Sequence, residues 1–142
     1  MIYNYEEVNK VASIGDKVYA YRFKTSSRQN NTDESKDMPI GIRYIQKPVL
    51  GVFTHSDNEQ SENRIREKIA KGEDIKDFEK EIRYFVPCRK DGKGLVWSKA
   101  VTIYSRMFTS DYGEAVEDYN RQVYNKIVTY EKYIDALREL MI

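Results

Sequence analysis

Two groups of side chains in this sequence have types and spacings suited to chemistry. The first is basic and aromatic: Arg22 and Lys24 close one apolar alternation, and Arg43, Tyr44 and Lys47 stand around the start of the next. Arg83 and Tyr84 open a third, and Arg89, Lys90, Lys93, Trp97 and Lys99 surround a glycine-rich turn. Cationic side chains attract phosphates and aromatic rings stack on bases, so these residues on one sheet face would suit a nucleotide ligand or single-stranded nucleic acid. Strands alternate, however, and half of such side chains would equally form the wet face of a half-buried sheet. The second group lies toward the C-terminus: Tyr119, Tyr124, Tyr130 and Tyr133 with Ile134, Leu137 and Met141. Rigid rings with a polar tip cover area at low entropic cost, which makes exposed tyrosines on a helix flank typical interface material.

Residues for covalent or metal chemistry are sparse. His55 and Cys88 are the sole imidazole and thiol, and a nucleophile pair is defined by geometry rather than presence. The simpler reading makes Cys88 a half-buried side chain before a turn and His55 a loop-facing polar residue. No Cys/His cluster provides metal ligands, and no cofactor motif is present. The carboxylates of 57–81 and 111–117 read as solvated helix faces, and Gly92 and Gly94 read as turn residues without the length of a phosphate-binding loop. No catalytic residue is assigned, and the chain is expected to be non-enzymatic.

The elements that must position these groups follow from periodicity. Asp16 to Lys24 alternates Val18, Ala20 and Arg22 against Tyr19, Tyr21 and Phe23, the pattern of a strand. The opening residues carry Tyr5, Val8 and Val11 or Ala12 at helix-like spacing. From Thr25 to Asp37 there is no apolar side chain, so a mobile loop is expected. A second strand begins after Pro48 and ends near His55, and IRYFVPCR and LVWSKAVTIY form an antiparallel hairpin about Asp91-Gly92-Lys93-Gly94. A helical insertion at about 59–80 is either two short helices or one stopped at Gly72.

The remaining third is a helix from about Asp111 to Ile142, capped by Ser110 or Asp111 with Glu114 completing a capping box. Val116, Tyr119, Val123, Ile127, Tyr130, Ile134, Leu137 and Met141 recur at steps of three or four and make one apolar stripe. At 1.5 Å per residue such a helix is roughly 45 Å long, more than a small sheet covers. It must therefore break near Thr129 and fold back, or pair its distal half with another subunit.

Composition narrows the classes further. The chain has 142 residues, 24 Lys or Arg against 23 Asp or Glu, and a net charge of +1. That length suits one domain, with 1–110 mainly β and 111–142 helical. The near-zero charge excludes a whole-molecule field for nucleic acid or membrane. A lone Cys88, no signal-like start and no apolar run of membrane-spanning length point to a cytoplasmic protein without membrane contact.

Ile14-Gly15-Asp16-Lys17-Val18-Tyr19 resembles the opening of SH3-like and KOW-type barrels, where a Gly-Asp turn leads into the first strand. The Tyr-, Asn- and Lys-rich composition is similar to that of accessory proteins of tailed bacteriophages. The fold expected is α+β: a small curved antiparallel sheet, an SH3-like barrel among its forms, with a short helical insertion and a long C-terminal amphipathic helix. The function expected is a binding protein, phage-like accessory or host-modulating (anti-defence), that forms a homo-oligomer or meets a host protein through that helix. A nucleotide or single-stranded nucleic acid bound by the basic aromatic face is the alternative.

Overall fold

The computed structural model describes residues 1–25 and 38–142. The loop expected over 25–37 lies, from residue 26 onward, outside the described residues. Strand β1 spans Tyr3–Asn4, followed by a one-turn helix α1 at Val8–Val11 and strand β2 at Lys17–Phe23. Gly15, at φ +87, makes the turn into β2 and donates its N–H to the Phe53 carbonyl at 2.8 Å.

β2 pairs antiparallel with β3 (Ile45–Thr54), from Lys17↔Val52 to Phe23↔Ile45. Between Ala20↔Val49 and Arg22↔Gln46 the register slips, so that Tyr21 faces two residues of β3, Lys47 and Pro48. A bulge tolerates proline because the ladder is interrupted there in any case. β3 therefore begins ahead of Pro48, at Ile45, and not after it as the sequence suggests.

β4 (Tyr84–Pro87) pairs with β3, and β5 (Val101–Thr102) pairs with β4. The turn predicted between them is formed: the Arg89 N–H donates to the Gly94 carbonyl at 3.0 Å, and Gly92 and Gly94 adopt φ +75 and +106. The strand expected after it is interrupted by a single 3-10 turn at Trp97–Lys99. Pro87 accepts from the Val96 N–H at 2.8 Å but has no N–H to return, so the ladder lapses until Phe85↔Val101.

β6 (Met107–Thr109) lies between β1 and β2, giving the order β1-β6-β2-β3-β4-β5. The sheet is antiparallel and open, so the chain is α+β without barrel closure. Closure would seal one face of a sheet against itself; here both faces are covered by other elements.

One face carries Val18, Ala20, Phe53, Phe85 and Phe108 with Tyr3, joined by Val8 from α1 and by Ile82 and Ile103. Phe53 meets Phe108 edge-on at 5.0 Å between ring centres and Phe85 at 6.4 Å. These rings close over Gly51. A Cβ there would lie 2.4 Å from Phe85 Cζ and 2.5 Å from the Val86 carbonyl oxygen.

The opposite face is covered by α3 (Tyr112–Glu139), which lies against β2, β3 and β6. Tyr112 packs on Tyr19 at 5.0 Å and Tyr119 on Phe23 at 6.2 Å. Asp111 is the N-cap and accepts from the Gly113 N–H at 3.0 Å. Glu114 does not close a capping box; it accepts from the Thr109 hydroxyl at 2.9 Å and so ties the helix start to β6. The helix runs through Thr129 without a break, over roughly 42 Å for its 28 residues.

The insertion is one helix, α2 (Glu59–Ala70), capped by Asn58 and followed by a 3-10 turn at Asp77–Lys80. It stops at Gly72, φ +69, with Gly72 N–H on the Ile69 carbonyl and Glu73 N–H on the Lys68 carbonyl. Among the described residues no helix is long and apolar enough to cross a membrane.

The close approach at Gly51 yields a stability prediction. Gly51→Ala should lower unfolding free energy by about 3 kcal/mol, because Phe85 and the β4 backbone must both move. Urea denaturation checks this, and a midpoint equal to wild type would refute the steric account.

Candidate functional site

The structure does not gather the basic aromatic residues on one face: Arg83 stands over the Tyr84 and Phe78 rings at 5.7 and 5.6 Å, and most of the others fall in two further places. Arg89, Lys93 and Trp97 line one open cleft of about 490 Å³ beside the β4–β5 turn, together with Glu59 from α2. The Glu59 carboxylate offsets part of the positive charge there. Lys99 is exposed at the end of the 3-10 turn and does not line the cleft. Lys24 is exposed just beyond β2.

Arg22 and Tyr44 stand together at the other place, with the guanidinium 5.8 Å from the centre of the ring. Arg43 turns its Nε to the Met38 carbonyl at 2.7 Å. A residue not singled out from the sequence joins Arg22: Arg106, which is 8% exposed and donates through Nη1 to the carbonyls of Thr102 and Tyr104. Burial, and then Arg22 nearby, push its guanidinium down to about 10. As an isolated Arg ahead of a three-residue strand, it gave no periodic signal.

His55 is not loop-facing. It is buried at the end of β3 and held by Glu62, which is itself 1% exposed on α2. Glu62 accepts from the His55 N–H at 2.6 Å and the Ser56 N–H at 2.9 Å, both on Oε1. Its Oε2 lies 2.7 Å from His55 Nδ1 and accepts from Arg66 Nε at 2.9 Å. Four partners satisfy this carboxylate, which fastens α2 to the end of β3. Burial pushes the Glu62 carboxyl up, but the bonds from Arg66, His55 and Ser56 outweigh it and hold the group below its ordinary 4.5.

Cys88 is half-buried ahead of the turn and bridges to Leu95. Its N–H meets Leu50, five positions before His55 along β3, a span of about 16 Å at strand spacing. Thiol and imidazole therefore do not form a nucleophile pair. Among the described residues no three His, Cys, Asp or Glu side chains are grouped to hold a metal ion.

The tyrosine group on α3 is also divided. Tyr119 spends its ring on Phe23 and is half-buried. Tyr124, Tyr130, Tyr133, Ile134, Leu137 and Met141 are exposed, and exposure rises along the helix from 39% at Tyr130 to 64% at Leu137 and 79% at Met141. Buried Asp118 explains where the helix is fixed: it accepts from the Tyr21 hydroxyl at 2.6 Å and from Gln122 Nε2 at 2.8 Å, and pairs with Arg121. Burial and that bond push the Tyr21 phenol far above its ordinary value.

Comparison with known protein families, with characterised proteins and with solved structures gives no match.

The Glu62 site makes a pH-dependent prediction. A carboxyl whose folded value is depressed adds stability above its unfolded value near 4.5, and that stability is lost as pH falls through the folded value. Glu62→Gln should cost about 3 kcal/mol at pH 7, because an amide cannot accept from all four partners. Denaturation between pH 7 and 3 should show wild type converging on the variant below about pH 4.5; a constant gap would refute the assignment.

Proposed function

We propose that this protein is a non-enzymatic binding protein that self-associates through the distal half of α3. The observation that carries this reading is the continuous apolar stripe of Ile127, Tyr130, Ile134, Leu137 and Met141, which no other described element covers. Helical segments of this length are marginal in water and draw their stability from packing of an apolar face. An exposed stripe of this kind gains most when a partner helix covers it.

A second copy of the same helix fits the pattern. With Ile127, Ile134 and Met141 on one edge of the seam and Tyr130 and Leu137 on the other, the apolar positions repeat every seven residues. In a parallel pair, Lys126 flanks the seam on one side and Glu131 on the other, so Lys126 of one copy faces Glu131 of the next. Tyr133 and Leu140 widen the same surface, and both are more than half exposed. A binding role agrees with the phage-like accessory or host-modulating class that the composition resembles.

Light scattering of the full chain against a chain ending at Thr129 tests the proposal. The full chain should have at least a dimeric mass and the shortened chain a monomeric mass, with the sheet's far-UV signature retained in both. Leu137→Glu should weaken self-association by at least about tenfold, roughly 1.4 kcal/mol. Monomeric mass for the full chain across the micromolar range would defeat it.

A further inference from the structure

We infer that Arg22 and Arg106, with Tyr44, form a binding site for the phosphate group of a small phosphate monoester. The β2–β6 register runs Tyr19↔Thr109, Ala20↔Phe108, Tyr21↔Met107, and its next step sets Arg22 opposite Arg106. Cross-strand neighbours have Cβ atoms about 5 Å apart, and like charges so placed destabilise a sheet. Among the described residues neither guanidinium has a carboxylate partner, and the buried Arg22 Nε has no acceptor.

The surrounding chain deepens this imbalance. Residues 17–25, 38–54 and 100–109 carry Lys17, Arg22, Lys24, Arg43, Lys47 and Arg106, and not one Asp or Glu. The hairpin cleft differs in this respect, since Glu59 shares it with Arg89 and Lys93.

The chemistry of the ligand follows from charge and shape. Two adjacent guanidiniums are matched by a dianion, and a phosphate monoester carries about −1.5 to −2 at pH 7. Planar guanidinium forks bind such oxygens in pairs. Arg106 is pre-positioned by its bonds to the Thr102 and Tyr104 carbonyls, and Arg22 is supported by the Tyr44 ring. Two guanidiniums and one ring suit a single phosphoryl group and not the repeated backbone of a nucleic acid. The site lies on β2 and the approach to β6, so it does not depend on self-association through α3.

Calorimetric titration of the full chain at low ionic strength tests this, with inorganic phosphate, glycerol phosphate and adenosine monophosphate as probes. Each should bind once per chain. A stronger response to adenosine monophosphate assigns a stacking contribution to Tyr44, and equal responses assign the affinity to the phosphate alone; either supports the site. Arg22→Met, which keeps an unbranched apolar stem without the guanidinium, should weaken binding by about tenfold or more, while Lys93→Met in the hairpin cleft should leave it unchanged. Nitrogen-15 signals of the Arg22 and Arg106 Nε–H groups should shift on addition of ligand in wild type. Absence of saturable binding by wild type, or equal binding by Arg22→Met, overturns the inference. So does an oligonucleotide that binds more tightly than the monoesters and loses affinity in Lys93→Met, which would mark an extended nucleic-acid track.

Discussion

The hydrogen bond from the Tyr21 hydroxyl to Asp118, 2.6 Å long and buried between sheet and helix, fixes how α3 sits on the sheet. Apolar contacts such as Tyr112 on Tyr19 and Tyr119 on Phe23 would tolerate some rotation or sliding of the helix. A carboxylate sealed at 7% exposure would not, because losing its partners leaves a charge in a poorly solvated place. Asp118 lies in the second turn of α3, so the sheet commits only the first half of the helix. From Tyr130 onward the helix is exposed at every residue, and the exposed stripe follows from that one anchor.

Glu62 plays the corresponding part for α2. Its four hydrogen bonds join strand end, loop and helix, just as those of Asp118 join β2 to α3. Both helices are thus located by buried carboxylates whose acceptor sites are used, while apolar burial supplies most of the driving force. The Phe53, Phe85 and Phe108 rings form that apolar body on the other face, and their closeness requires Gly51 to have no side chain.

Much of this was legible in the sequence wherever a segment was long enough to show a period. β2, the Asp91-Gly92-Lys93-Gly94 turn and α3 were read from alternation, turn chemistry and helical spacing. β1 and β6 were not, since two or three residues cannot display a repeat. Pro48 misled because a bulge, which only the partner strand reveals, accommodates it within β3. The candidate sites were half legible for the same reason. Arg22 and Tyr44 stood out by type, but Arg106 comes beside Arg22 only through the β2–β6 register. Glu62 looked like one more acidic residue on a polar helix, and only the chain's return past His55 buries it.

The open sheet and the long helix are linked. A sheet opening with Gly15-Asp16 and a strongly alternating strand has two ways to bury Tyr19, Tyr21 and Phe23: curl until its edges meet, or accept a helix. Its two-residue edge strands, β1 and β5, offer little ladder with which to close. The helix covers that face with its N-terminal part, and every residue from Tyr130 onward is exposed. The turns after Thr129 are exposed throughout, while keeping an apolar period that solvent alone would not favour. That excess of patterned helix over the surface it covers distinguishes α3 from an ordinary lid, and it is the ground on which self-association is proposed.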